Sequence, residues 1–321
     1  MRFRISMEVD LPKWKIIDFH CHFPSTNDDW LRKYQQEYIK EFGKDNWDYI
    51  QNFATSTNKR WQKAWCFPEP EENNYNFGLM AKRWADEVTA NNLEKVVFTT
   101  SGGNEQVINL IQLYPDKFIA FAHHSPDEEN AAEQLEFAIK NGLKGYKIMG
   151  PLVKTPLYDK KFYPVWEVAS EYEIPVLIHF GILGGGGGIG YSININPLVI
   201  HDVAKAFPKL KIVIPHFGCG YTRELLQLMW ACPNIYVDTS GNNEWMRWMP
   251  YELNLNMLLK KFYETVGPER IIYGSDSEWF PRGYVMRYFL DQIRAARQIG
   301  IPEVDIKKIF RENALNLLKV K

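Results

Sequence analysis

Residues 16–23 read IIDFHCHF, an apolar run whose metal-ligating side chains crowd toward its carboxyl end. Side chains along a strand alternate between two faces, so His20 and His22 share one face while Cys21 takes the other. Two imidazoles placed this way can grip a single ion, and an HxH pair closing an apolar strand is an uncommon filling for a protein interior. Three further apolar runs close in the same fashion: PVLIHF (175–180) at His179, KIVIPHF (211–217) at His216 and RIIYGSD (270–276) at Asp276. Asp276 has no adjacent basic residue, and a buried carboxylate without a partner is costly, so it calls for a cation. Three imidazoles and one carboxylate with a position open for water describe zinc or manganese in a catalytic site. The absence of clustered thiolates agrees.

Working outward, these runs belong to a regular series. Short stretches rich in β-branched residues alternate with amphipathic ones, which predicts strands over 15–22, 95–100, 118–123, 143–149, 175–180, 211–217, 235–239 and 270–276. Helical segments such as NEQVINLIQLYP (104–115) and TRELLQLMWACP (222–233) lie between them and stop at Pro or Gly. Eight alternations predict an α/β fold, a (β/α)8 TIM barrel forming a single domain over 1–321, with a doubly wound open sheet as the alternative. Residues 23–76 are an insertion after the first strand, which places them over the catalytic face. Its aromatics (Trp30, Tyr34, Trp47, Trp61, Trp65) read as a small satellite core, and the closing segment IKKIFRENALNLL (306–318) reads as a packing helix.

The chain has 321 residues, 45% of them hydrophobic and 24% charged, which is globular and excludes disordered or fibrous classes. Lys plus Arg number 38 against 39 Asp plus Glu, so the field that draws a protein onto nucleic acid or an anionic membrane is missing. Cys21, Cys66, Cys219 and Cys232 show no CxxC spacing and are too few for a disulfide framework, which predicts a cytoplasmic protein. The opening MRFRISMEVDLPKWKIID lacks the apolar core of a signal peptide, and no apolar run reaches the length of a membrane span.

DFHCH, IHFG, PHFG, YGSD and the closing ENALNLL together make the sequence similar to the amidohydrolase superfamily. The resemblance covers nearly the whole chain and is to the amidohydrolase-related (aminocarboxymuconate-semialdehyde decarboxylase-like) branch. It implies a barrel, and one divalent metal, zinc first and manganese second, held by His20, His22, His179 and Asp276. It further implies His216 as catalytic acid/base, with Asp276 assisting while it ligates, and a homodimer as the ordinary assembly. Lys147, in GYKIMGP, matches the position of a lysine that is carboxylated in binuclear relatives. In the branch resembled it would instead hold a substrate carboxylate or oxyanion, and a structural salt bridge is the third alternative.

Arg282 and Trp279, with Phe280, follow Asp276, and Arg223 follows the sixth strand, so each is a candidate for binding a flat, anionic substrate. Gly185, Gly187 and Gly190 show GxGxxG spacing, but no helix follows immediately, so no nucleotide cofactor is expected and the loop reads as one beside the metal. His123, His124 and His201 read as packing or structural residues. The expected function is hydrolysis of a small, carboxylate-bearing amide, ester or lactone by water that the metal acidifies. Decarboxylation of a small conjugated or aromatic acid at the same site is the alternative, and a metal-stabilised binding barrel without catalysis is the third. The expected partner is an anionic small molecule, with no nucleic acid and no membrane.

Overall fold

Each of the eight expected strands forms, the fourth, sixth and eighth shorter than expected, so that His216 and Asp276 follow their strands and do not close them. The computed structural model describes residues 10–25, 29–71, 75–184 and 188–320. The strands are Ile16–His22, Leu93–Thr100, Phe118–Ala120 resuming as Ala122–His123, Tyr146–Met149, Pro175–His179, Lys211–Ile214, Ile235–Asp238 and Ile271–Ile272. All pair in parallel, each with its neighbours in sequence. A doubly wound sheet would reverse its strand order part-way, and this one does not. At the break in the third strand the Phe121 N–H donates to the Phe98 carbonyl at 3.0 Å and the Ala122 N–H to the Gly145 carbonyl at 2.8 Å. At the other seam Phe19 N–H meets the Tyr273 carbonyl (3.1 Å), Asp276 N–H the His20 carbonyl (2.8 Å) and His22 N–H the Ser277 carbonyl (2.8 Å). Hydrogen bonds thus lead from strand to strand around a (β/α)8 TIM barrel.

The interior is a cluster of Ile17, Phe19, Val97, Ile119, Phe121, Leu177, Val213 and Ile272, to which the last helix, Asn313–Leu318, adds Ala314, Leu317 and Leu318. Ile17 and Phe19 both face inward, so unbroken alternation would turn His20 and His22 out toward the helices. A bulge prevents this. Asp18 lies opposite Val96 but Cys21 opposite Phe98, so the first strand carries one extra residue there. Bulges re-aim side chains beside active sites, and here His20 and His22 turn to the barrel mouth while Cys21 joins the outer core.

The surrounding helices start and stop on local chemistry. In Leu255–Val266, for example, the Asn254 side chain accepts the Met257 N–H at 3.0 Å, and Gly267, at φ 72°, ends the helix. That helix buries Leu258, Leu259 and Phe262. No helix among the described residues is long and apolar enough to cross a membrane.

The stretch 23–76 carries the helices Asp29–Phe42 and Lys44–Ala64. Trp47 packs with Tyr34 and Tyr38, Trp61 with Phe67 and Trp279, and Trp65 with Tyr288. Ion pairs Lys33–Glu128 (2.7 Å) and Lys154–Glu37 (2.5 Å) join the first of these helices to the loops after the third and fourth strands.

Candidate metal centre and active site

His20 is fully buried, with Nδ1 2.6 Å from Asp238 Oδ2 and 3.1 Å from Ser240 Oγ. A carboxylate at Nδ1 holds the hydrogen there and leaves the lone pair on Nε2. Burial, with help from the Lys147 charge, lowers the His20 pKa to about 3, so this imidazole is neutral at ordinary pH. Burial would raise Asp238, but the Nδ1–H of His20 aimed at it, helped by the Ser240 N–H, keeps the carboxyl below its ordinary value. His22 is held at the same nitrogen, by a hydroxyl: Nδ1 makes a short hydrogen bond with Thr100 Oγ1, and Nε2 lies 3.0 Å from Asp276 Oδ1. The same Asp276 oxygen is 3.7 Å from His20 Nε2. One ligand atom from each of His20, His22 and Asp276 therefore falls within 4.8 Å of the others. Two tied-off imidazoles and a carboxylate, converging at the strands' carboxyl ends, fit a divalent cation.

The backbone under this group is strained. Asp276 sits at φ 60° and His216 at φ 56°, left-handed conformations that cost free energy in non-glycine residues and cluster at functional sites. Gly241, at φ 80°, packs beneath both; a Cβ there would stand 3.4 Å from Asp276 Oδ2 and 3.4 Å from His216 Nδ1. His216 Nδ1 lies 3.1 Å from the Ser240 carbonyl and 2.9 Å from Ser240 Oγ, which leaves Nε2 as its lone-pair nitrogen. The His216 ring centroid is 5.2 Å from that of His20 and 5.0 Å from that of His179.

Of the four expected metal ligands, His179 stands apart from the group of three. Its Nε2 is 3.0 Å from the Ile182 carbonyl, which takes that nitrogen's hydrogen and leaves Nδ1 as the free one. Burial pushes its pKa well below the usual range. Lys147 is 1% exposed, with Nζ 3.4 Å from His20 Nε2, and it forms no ion pair with a described carboxylate, so the structural salt bridge is absent. Burial lowers it to about 8.

The arginines separate. Arg282 donates from Nη2 to the Asp276 carbonyl at 2.9 Å, and its guanidinium carbon lies 3.7 Å from the Trp279 ring centroid and 5.1 Å from that of Phe67. Arg282 thus stands directly behind Asp276, with Trp279 as its platform. Arg223 does not reach the site: its side chain is 79% exposed on the helix Thr222–Ala231, with Nη2 2.5 Å from Glu224. A helix start directs it to solvent, where the neighbouring carboxylate captures it. Gly185 and Gly187 lie outside the described residues. At Gly190 a Cβ would stand 2.8 Å from the Pro151 carbonyl, so a packed backbone requires glycine there.

An amidohydrolase family model matches residues 17–320. The chain belongs to the amidohydrolase family. Among solved structures, this amidohydrolase resembles a 5-carboxyvanillate decarboxylase from Novosphingobium aromaticivorans, complexed with manganese and 4-hydroxy-3-methoxy-5-nitrobenzoic acid. The identity is 18% and the TM-score 0.64, over 96% of this chain and 97% of that one. A 2,6-dihydroxybenzoate decarboxylase complexed with 2,6-dihydroxybenzoate is 17% identical with TM-score 0.57, over 95% and 99%. A probable 2-pyrone-4,6-dicarboxylic acid hydrolase from Acinetobacter baumannii, with citric acid bound, is 16% identical with TM-score 0.58, over 95% and 99%. At these identities the likeness speaks for the fold, and family membership makes the chain an enzyme.

Sequence reasoning about this amidohydrolase passed over Asp238, Ser240 and Thr100, which hold the histidines. Asp238 ends IYVD (235–238), the same strand-terminal position that singled out Asp276, so a signal for it existed. His124 is satisfied by the Ala131 carbonyl (2.9 Å) and Asn104 (3.1 Å), as a structural residue should be. His123 differs: it is buried, and its Nδ1 has no hydrogen-bond partner among the described residues.

Proposed function

We propose that this amidohydrolase is a metal-dependent hydrolase of a small, carboxylate-bearing amide, ester or lactone. The observation that carries it is the convergence of His20, His22 and Asp276, each imidazole tied off at Nδ1 by a polar partner. These residues would hold one zinc or manganese ion, with His179 completing the set if its ring turns from Ile182. When bound, such an ion polarises a carbonyl or carboxylate oxygen and acidifies water.

The protein's own residues do the rest. His216, anchored at Nδ1 by Ser240, moves a proton through Nε2 between the attacking water and the leaving group, with Asp276 assisting. Lys147 draws the anionic group of the substrate, Arg282 and Trp279 form a cationic and aromatic wall behind Asp276, and the helices Asp29–Phe42 and Lys44–Ala64 cover the mouth. A cytoplasmic setting belongs with the free cysteines.

Decarboxylation is the second reading. It is favoured by the two structural neighbours named as decarboxylases and by Lys147, which has no ion-pair partner among the described residues. There the same ion-binding group and Lys147 would grip the acid while His216 supplies the proton that replaces carbon dioxide. The test is turnover of metal-replete protein on small lactones, esters, amides and conjugated acids, with carbon dioxide release followed in parallel. Turnover that vanishes with a chelator and returns with metal is expected. A protein that retains no metal, or turnover indifferent to chelation, refutes both.

A further inference from the structure

His123 and Lys147 are partners in register on the third and fourth strands. Partners in a parallel pair stand side by side on one face, and that face is the interior, because Phe121, two residues before His123, lies in the interior cluster. Both side chains are short of partners among the described residues. Among the described residues, Lys147, 1% exposed, makes one side-chain hydrogen-bond contact, the long 3.4 Å one with His20 Nε2, and meets the charges of Asp238 and Asp276 only at longer range, while the His123 ring, 7% exposed, meets the Lys147 backbone but leaves Nδ1 with no partner. Buried nitrogens in native proteins are ordinarily hydrogen-bonded, and a buried ammonium without a counter-ion in direct contact is costlier still. Two such groups side by side at the carboxyl ends of barrel strands are what a site looks like when its missing partner is a ligand. Trp30, from the insertion, closes the far side: its ring centroid is 5.3 Å from that of His123, and its Nε1 donates to the Leu152 carbonyl at 3.4 Å.

We propose that His123 and Lys147 form one oxyanion subsite, backed by Trp30, which takes a carboxylate of the substrate and makes His123 a specificity-determining residue. The ammonium supplies the charge. Nδ1 of His123, in the tautomer that places the ring hydrogen there, donates to the carboxylate and supplies direction, because the ring lies against Trp30 and cannot follow a ligand that sits elsewhere. An uncharged carboxamide would leave the ammonium uncompensated and bind more weakly. The inference rests on the barrel mouth being the active site, but not on which bond the enzyme breaks.

Benzoate, and benzamide as its uncharged counterpart, serve as probes, titrated calorimetrically into metal-replete wild type, His123→Phe and Lys147→Met, with the metal content of each sample measured. His123→Phe keeps a ring against Trp30 and removes the nitrogens. The expected loss of benzoate affinity is about tenfold or more for Lys147→Met and several-fold for His123→Phe, in line with charge-assisted and neutral hydrogen bonds, with benzamide unchanged in all. Should His123→Phe lose its native near-ultraviolet circular dichroism, His123→Gln replaces it. Benzoate affinity within about twofold of wild type in either variant overturns the shared subsite, as does metal-loaded wild type that ignores benzoate at about 10 mM. Protein without metal in every preparation refutes the proposed function instead, so the two failures are told apart.

Discussion

With Nδ1 2.6 Å from Asp238 Oδ2, His20 keeps a hydrogen on that nitrogen and a lone pair on the other. Asp238 meanwhile accepts the Ser240 N–H at Oδ1, 2.7 Å away, so both its oxygens act as acceptors. An amide cannot accept on both sides. Asp238→Asn must therefore either oppose an N–H to an N–H or push the His20 hydrogen onto Nε2, where it blocks a ligand. Metal affinity is expected to fall about 10- to 100-fold with the fold retained, measured by competition against a chelator. Affinity equal to wild type would mean that Asp238 does not set the tautomer. The histidines were legible in the sequence because HxH and strand-terminal His are rare patterns. Ser240 and Thr100 were not, since a hydroxyl near a histidine in space leaves no mark on spacing.

At the scale of elements, the first strand shows how alternation can give a correct facing for an incomplete reason. His20 and His22 do share a face, yet they reach the mouth only because an extra residue between Asp18 and Cys21 reverses the inward set begun by Ile17 and Phe19. Apolar Ile16, Ile17 and Phe19 carry no clean period of two, so nothing in the letters marks the bulge. The carboxylate of Asp18 holds it in place. It accepts the Ser275 N–H at 2.9 Å and the His20 N–H at 3.2 Å, and it bonds the Ser275 hydroxyl and, at 3.1 Å, the Cys21 thiol. Asp18→Ala strands these buried donors and is expected to cost about 2–4 kcal/mol in urea unfolding. A loss below about 1 kcal/mol would show that the bulge stands without it.

For the whole molecule, the titratable groups of the interior predict a steep acid response. Burial is the first cause that holds His20 and His123 at about 3 and His179 well below its usual value, whereas unfolded histidine takes its proton near 6.5. Below that pH the unfolded chain binds more protons than the folded one, so stability falls as pH falls. Asp18 acts in the opposite sense between about 6 and 3.8, because burial raises it and the folded state then holds the extra proton. At pH 5 the three protons of His20, His123 and His179, with a further contribution of the same sign from buried His124, oppose the one of Asp18, and a net of two or more corresponds to roughly 3 kcal/mol per pH unit. Urea titrations of metal-free protein at pH 7, 6 and 5 measure this slope, and a flat profile would contradict neutral burial of these rings. The eight-strand plan was legible because βα alternation is a long-range pattern. The exposed position of Arg223 was not, because which side of a helix start meets solvent depends on neighbours remote in sequence.

The helix Asp29–Phe42 is moored to its neighbours by Lys33–Glu128 and Lys154–Glu37, in which the lysines are 58% and 50% exposed. Electrolyte screens such charges over a distance of about 8–10 Å but leaves an oily interior untouched. Deuterium uptake along residues 29–42 should therefore quicken between about 0.05 and 0.5 M sodium chloride, while the strands beneath keep their pace. Brine would loosen the hatch without softening the hull.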